Sequence, residues 1–477
     1  MGPSARSPPH SEVSSGKSPI IAPEVGLSTK FTGSDRPFGN AFRAYAVHVL
    51  GCKVAQVEAA GLARALDAAG LSRACPGTQA DVVVLHACTV TERADRDAFR
   101  ALRQLRRRNP DAVVAVSGCF AERAPDLLSR RPEVDLVAGH VPPGALPRLL
   151  AEAAAGLVPG KVASRSVSPA EVLLASRPGD GEGPRTRAFL RVQDGCTRRC
   201  TFCIVPSVRG PERSATAAET AAAVRTLAEE GAPEVVLCGV HLAAFGSERG
   251  ESLLGLLRLL EADPPACRVR LSSLEPMEAG EELVELAASG TVVVPHLHLP
   301  LQSGSDAVLR RMRRGMTASR FRALLERAAR VNPMVHLATD VIAGFPGESE
   351  AEAAETETLL GGLPLASLHV FPFSPRSGTP AAALSATSGV APAETTRRAA
   401  RLRALDARIR RRYAASHDGR EADLVALHGG VGLTETYVEA ALPSDGPAPG
   451  SRLRARLALR ADGALEAVPG PAKLRGS

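Results

Sequence analysis

Residues 189–203 read Phe-Leu-Arg-Val-Gln-Asp-Gly-Cys-Thr-Arg-Arg-Cys-Thr-Phe-Cys, an apolar run followed at once by cysteines in C-x3-C-x2-C spacing. Residues 189–193 predict a strand. Cys196, Cys200 and Cys203 then stand on the loop at its C-terminal end, where parallel β/α barrels carry their reactive groups. Three thiolates can hold three irons of a 4Fe–4S cube and leave the fourth iron open to a chelating ligand. Zinc is the alternative occupant. It wants a fourth ligand, and no Cys or His follows Cys203 within ten residues.

Downstream of this run the pattern alternates. Strands are predicted at 234–238, 268–272, 292–298, 335–342 and 367–371, and helices at 216–230, 252–261, 280–288, 318–331 and 350–360. This β–α rhythm fits a complete or partial parallel barrel. A long Arg-rich helix is predicted over 395–413. After about residue 422 the helical period is lost, and 435–441 and 452–459 read as strands of a small β module.

Upstream the rhythm repeats. Val-rich runs at 44–50, 81–86 and 112–117 are each followed by a helical pattern, at 56–69, 92–108 and 123–130, which predicts an open parallel α/β sheet. Cys52, Cys88 and Cys119 each close one of these strands and precede its helix. The C-terminal strand ends of an open parallel sheet converge on one crevice. The three thiols delivered there can bind a second cluster, again with an open iron; taken singly, each is equally a small buried hydrophobe. Cys75, Cys238 and Cys267 lack this context and read as spectators.

The chain has 477 residues and nine cysteines, and 58 Lys and Arg against 51 Asp and Glu leave +7. A chain this long does not need disulfides to fold, so metal or redox use of the cysteines in a reducing compartment is the better reading. The modest basic excess permits an anionic partner without demanding one. No run of about 18 apolar residues marks a membrane span. No basic-then-apolar signal pattern opens the chain, and the expected compartment is the cytoplasm. The fold class is α/β: an N-terminal open parallel domain over 41–156, a linker over 157–185, a central barrel over 186–415 and a β module over 416–477. Residues 1–40, rich in Ser, Pro and Gly, read as a disordered leader or an over-extended start of translation. Arg100, Arg103 and Arg107 share one helix face, as do Arg397, Arg401 and Arg408; each face suits phosphate contact or plain solvation.

With these features in place, the sequence resembles the methylthiotransferases of the radical S-adenosylmethionine superfamily over nearly the whole chain after residue 43. The matching strings are Gly51-Cys52-Lys53-Val54-Ala55-Gln56, Ala87-Cys88-Thr89-Val90-Thr91, Ser117-Gly118-Cys119-Phe120-Ala121, Gln193-Asp194-Gly195-Cys196 and Arg209-Gly210-Pro211-Glu212-Arg213-Ser214. Leu299-Pro300-Leu301-Gln302-Ser303-Gly304-Ser305, Asp340-Val341-Ile342-Ala343-Gly344-Phe345-Pro346-Gly347-Glu348 and Ser374-Pro375-Arg376-Ser377-Gly378-Thr379 complete the match. Three places depart from the family pattern: Ala55 stands for Asn, His86-Ala87 for Asn-Thr, and Phe202 for Tyr.

The resemblance implies two 4Fe–4S clusters, at Cys196, Cys200 and Cys203 and at Cys52, Cys88 and Cys119, with S-adenosylmethionine as co-substrate. Phe202, Gly239, Ser273 and Gln302 are its expected contacts. It implies a tRNA anticodon stem-loop as partner and a reductant such as flavodoxin or ferredoxin. The Cys-Lys-Val string and Thr89-Val90-Thr91 favour the branch that acts on N6-threonylcarbamoyladenosine. Isopentenyladenosine in tRNA and a ribosomal-protein aspartate are alternative targets, and a non-catalytic iron–sulfur protein that binds RNA or senses redox state is an alternative of another class. The tail, notably Gly432-Leu433-Thr434-Glu435-Thr436-Tyr437-Val438, resembles the small β-barrel RNA-binding module that often ends these enzymes.

Overall fold

Residues 42–75, 77–157, 161–162, 172–180 and 185–469 are described in the computed structural model; the leader expected over 1–40 lies outside them. Six strands form the first sheet: β1 (Ala44–Leu50), β2 (Ser72–Arg73), β3 (Val82–Ala87), β4 (Val113–Ser117), β5 (Leu136–Ala138) and β6 (Lys161–Val162). Their order is β2-β1-β3-β4-β5-β6 and every pairing is parallel. Both faces are covered, which is why the strands read as continuous Val runs. Val82 and Val84 pack under the helices Lys53–Ala68 and Leu146–Ala154. Val83 and Leu85 pack on the other side, under Glu92–Arg108 and its neighbours. The helix Glu92–Arg108 has the predicted bounds because its ends are well marked: the Thr91 hydroxyl accepts from the Ala94 N–H, acids fill its first turn and three arginines its last.

The second unit begins with β7 (Leu174–Ser176), antiparallel to β8 (Ala188–Asp194), and includes the short β9 (Arg213–Ser214). Parallel ladders join β8 to β10 (Glu234–Gly239) and β10 to β11 (Arg268–Leu271). A second ladder joins β12 (His296–His298), β13 (His336–Ala343) and β14 (Ser367–Pro372). Between β11 and β12 the ladder is interrupted, and only single bonds such as Val294 N–H to Val269 O bridge it. The result is a partial barrel. Leu190, Val235, Leu237, Val269, Leu297, Leu337 and Leu368 point outward into one apolar core beneath the helices. The alternate residues are largely polar. On that face Val54 and Val57 of the helix Lys53–Ala68 pack against Phe189, Val236 and Cys238, joining the first unit to the barrel.

The tail forms a closed barrel, β15 (Glu421–Leu427), β16 (Val431–Thr434), β17 (Glu439–Ala441), β18 (Arg452–Leu459) and β19 (Leu465–Pro469). It caps the N-terminal strand ends of the large barrel. The Tyr437 ring lies 4.4 Å from the His296 ring and 4.9 Å from the Arg270 guanidinium carbon.

Four expectations are corrected. The helix expected over 123–130 is two, Cys119–Arg123 and Pro125–Ser129, because Pro125 disfavours a helical Ala124 and lacks a donor. The strand expected over 292–298 starts only at His296, after Pro295. The strand expected over 435–441 is a turn followed by β17, since Tyr437 takes a left-handed backbone (φ 62°). The expected linker carries β6 and β7, one in each sheet; residues 158–160, 163–171 and 181–184 within it lie outside the described residues. Among the described residues no helix is long and apolar enough to cross a membrane.

Candidate functional site

The first cysteine loop leaves β8 through a turn that only glycine fits. Gly195 has φ 77°, and a Cβ there would sit 1.9 Å from the Pro211 carbonyl oxygen. The Cys196 N–H bonds to Gly210 O and the Cys203 N–H to Cys200 O, which curls the loop back on itself. Thr201 fastens it to the barrel through bonds to Met312 O and Arg311 O. Phe202 packs against the cluster of Val308, Met312, Ile342 and Phe345. The three thiol groups lie close enough to repel one another as thiolates. Burial, then that repulsion, pushes Cys196 up to about 12 and Cys203 up to about 11. Arg314 Nη1 lies 3.7 Å from Cys200 Sγ, and Glu275 holds that guanidinium through two 2.6 Å bonds. His241 Nδ1 lies 3.8 Å from Cys196 Sγ, and its Nε2 is 2.7 Å from Glu278. Three convergent soft donors on one loop fit a cluster left one ligand short.

Strand register assembles the second trio. Leu50 pairs with Ala87 and His86 with Ser117, so Cys88 lies between Cys52 on one side and Cys119 on the other. Adjacent strands are about 4.8 Å apart, so the thiols meet in one crevice. Gly51 and Gly118 let the backbone close there: a Cβ on Gly51 would meet Ala55 at 2.7 Å, and one on Gly118 would meet the His86 ring at 2.9 Å. Cys52 is exposed, while Cys88 and Cys119 are buried. Burial pushes the Cys119 thiol up to about 12, with Arg209 opposing and Cys88 and Cys52 adding to the rise. This donor set too fits an iron–sulfur cluster.

A buried ionic network joins the two sites. Cys119 packs on Ile204 and Val208, and the helix Val205–Arg209 ends beside it. Arg209 donates to Glu58 at 2.9 and 3.0 Å, to Asp194 at 2.9 Å and, through Nε, to Cys119 Sγ at 3.2 Å. Arg191 adds a 2.5 Å bond to Glu58. His86 lies between Glu58 (3.0 Å) and Ser117 (2.8 Å). Burial alone would raise the Glu58 carboxyl, but Arg209, His86 and Arg191 outweigh it and hold it well below the usual range. A second network latches the two units: Arg376 and Arg123 both donate to Thr89 and Asp95.

The softer candidates spread around the rim. Gly239 sits at a bulge between β10 and β8, where a Cβ would come 2.9 Å from Gln193 Oε1. Ser273 Oγ lies 2.6 Å from His298 Nδ1. Gln302 takes a left-handed backbone (φ 84°) beside β13. His298, Asp340 and His369 form a group with no spacing signal in the sequence, in which Asp340 Oδ1 lies 2.9 and 3.1 Å from the two imidazoles. Nor does spacing mark Glu58, Arg191, Arg209, His241 or Arg314. Arg209 and Asp340 lie in the strings that carry the resemblance, which was the one signal available. Of the arginine faces, Arg100, Arg103 and Arg107 are exposed, whereas Arg401 is tied to Glu350 and Glu357.

Residues 44–139 match the uncharacterized protein family UPF0004, and residues 190–360 match the radical SAM superfamily. A tRNA-2-methylthio-N(6)-dimethylallyladenosine synthase of Thermobifida fusca is 36% identical over 394 residues, 81% of this chain and 78% of that protein. The threonylcarbamoyladenosine tRNA methylthiotransferase MtaB of Aquifex aeolicus is 34% identical over 83% of this chain and 95% of its own length. Its Bacillus subtilis namesake is 33% identical over 80% and 84%. In fold, the chain is similar to the radical S-adenosylmethionine methyltransferase TsrM of Kitasatospora setae, with TM-score 0.51 and 15% identity over 72% of this chain and 77% of that one.

Proposed function

The chain belongs to the radical S-adenosylmethionine methylthiotransferases, and on that premise we propose that it converts N6-threonylcarbamoyladenosine at position 37 of tRNA to the 2-methylthio derivative. As a radical enzyme of this family it uses S-adenosylmethionine and a 4Fe–4S cluster, which displaces the non-catalytic reading. The observation that carries the proposal is that Cys119 of one trio packs on Ile204 and Val208, in the segment directly after Cys203 of the other. Sulfur insertion needs two such centres within reach of one base.

Cys196, Cys200 and Cys203 would hold the cluster for S-adenosylmethionine, and Cys52, Cys88 and Cys119 would hold a second 4Fe–4S cluster. Bound there, the clusters and S-adenosylmethionine would supply radical chemistry, the inserted sulfur and the methyl group. The chain's own residues bind and shield. Phe202 offers a ring face to the cofactor. Gly239, where a Cβ would crowd Gln193, and Ser273 and Gln302 would line the site for it. Asp340 is kept ionised by His298 and His369, which outweigh its burial and fix two imidazoles on the inner face. Tyr437, stacked on Arg270, closes the far end of the barrel against water and stray hydrogen donors.

The exposed Arg452, Arg454 and Arg456 of the tail module suit phosphate contact with the anticodon stem-loop. A flavodoxin- or ferredoxin-type protein supplies electrons, and the setting is the cytoplasm. The Lys53-Val54 and Thr89-Val90-Thr91 strings, with the Aquifex relative, support the threonylcarbamoyl substrate. The Thermobifida relative supports a second reading, isopentenyladenosine. Nucleoside analysis of tRNA from a deletion strain decides between them. Loss of 2-methylthio-threonylcarbamoyladenosine with other forms intact is expected. Its persistence in a strain with no second such enzyme refutes the substrate assignment, and loss of the isopentenyl form instead favours the second reading.

A further inference from the structure

An arginine that only balances charge can satisfy buried carboxylates with its two terminal nitrogens. Arg209 does this, giving Nη1 to Glu58 and Asp194 and Nη2 to Glu58. Its side chain is 4% exposed, so water does not compete for the remaining donor. That donor, the Nε–H, is aimed at Cys119 Sγ, 3.2 Å away. Because carboxylates grip both ends of the guanidinium fork, the Nε–H cannot swing off the sulfur. Arg191 and Arg209 face Glu58 and Asp194, with Arg213 3.4 Å from Asp194 at the edge of the group, so the buried charges are largely paired off and the directed hydrogen bond is the contact that reaches the cysteine.

The first trio is served differently. Its nearest side-chain donor stands farther off, Arg314 at 3.7 Å from Cys200, and His241 Nδ1 lies 3.8 Å from Cys196. Hydrogen bonds to ligand sulfurs are one of the levers that set the potential of an iron–sulfur centre. A donor stabilises the more negative, reduced state and raises the potential, and the effect is stronger in a buried, low-dielectric setting.

We propose that Arg209 sets the reduction potential of the second iron–sulfur site by donating its Nε–H to the Cys119 sulfur, holding that site less reducing than the one at Cys196, Cys200 and Cys203. The proposal rests on the reading of Cys119 as a cluster ligand. Arg209 is thus a positioning residue that acts through a cysteine. Its place at the end of the helix two residues beyond Cys203 makes one short segment responsible for both centres.

The test uses the full chain carrying Cys196→Ala, Cys200→Ala and Cys203→Ala, reconstituted anaerobically with iron and sulfide so that only the second site is filled. Its midpoint potential is measured by EPR-monitored redox titration with Arg209, Arg209→Lys and Arg209→Gln. Lysine keeps the cation beside Glu58 and Asp194 and has no donor at the Nε position. With iron content unchanged, the Lys variant is expected to favour the reduced form about tenfold less, a shift of about 59 mV to more negative potential for a one-electron couple. The Gln variant is expected to move in the same direction. An unchanged potential in the Lys variant overturns the proposal, as does a shift seen with Gln alone, since charge rather than the directed donor would then be responsible. Loss of iron from the Lys variant overturns it too, by making Arg209 merely structural. Full iron content after Cys119→Ala in the same background refutes the ligand reading instead.

Discussion

Replacing Glu234 by Gln removes one buried charge from the joint between the barrel and the tail module. The carboxylate accepts five hydrogen bonds, two each from Arg268 and Arg270 and one from Arg187. The same arginines donate onward to the carbonyls of Asp423, Leu433, Thr434 and Glu435 in the module. The neutral amide would leave Arg268 and Arg270, 3% and 1% exposed in their side chains, without the carboxylate they pair with. Breaking a buried pair in this way costs about 3–5 kcal/mol, a large part of the roughly 5–15 kcal/mol that holds a typical domain together.

Urea unfolding followed by tyrosine fluorescence reads this joint directly. The chain has no Trp and three Tyr, and Tyr413 and Tyr437 both sit there. The first transition of Glu234→Gln should fall by the stated amount. Adding Arg270→Met should recover at least about 1 kcal/mol of the summed single losses, since contacting residues couple by about 0.5–3 kcal/mol. The pH dependence has a definite sign. Burial raises the Glu234 carboxyl, but Arg270, Arg268 and Arg187 outweigh it and hold it far below the ordinary range. Its contribution is therefore complete above the unfolded value of about 4.3 and is lost as pH falls below it, so Glu234→Gln should flatten the acid limb of the stability curve. A Gln variant within about 0.5 kcal/mol of the parent, the usual range for surface changes, would show that the Glu234 charge does not hold the joint.

Three further outcomes are expected. Gly195→Ala forces a Cβ against Pro211 O at a positive φ, so the reconstituted protein should lose iron from the first site while its far-ultraviolet circular dichroism is kept. Gln302→Gly relieves a left-handed backbone worth about 1–2 kcal/mol; thermal stability should rise, and S-adenosylmethionine affinity measured by calorimetry should weaken. Arg376→Ala cuts two bonds to Thr89 and Asp95, so amides of Glu92–Arg108 should exchange faster in hydrogen–deuterium exchange, with barrel strands unaffected.

Both cysteine trios are legible in the sequence for a physical reason. A parallel strand buried on both faces reads as a short Val-rich run, and a thiol that follows it directly must lie at the strand's C-terminal end. Glu92–Arg108 and Ala318–Val331 have their predicted bounds because period and caps agree, and Ala44–Leu50 because its apolar run sets them. What holds the trios in place is tertiary and was hidden. Glu58 and Arg209 are 151 residues apart, and Arg270 and Thr434 are 164 apart. His86 looked only like a departure from the family pattern. In the fold it is buried between Glu58 and Ser117, part of the network that fixes Arg209. Tyr437 looked like a strand residue, and its left-handed turn follows from docking onto Arg270 and His296, which local propensity does not see.

In the proposed function the two trios divide the chemistry, one generating the radical and the other supplying sulfur. Anaerobic product analysis of Cys119→Ala, with S-adenosylmethionine, reductant and substrate tRNA, tests it most directly. The expected result is 5′-deoxyadenosine without any methylthiolated nucleoside. Methylthiolated tRNA from that variant would contradict it.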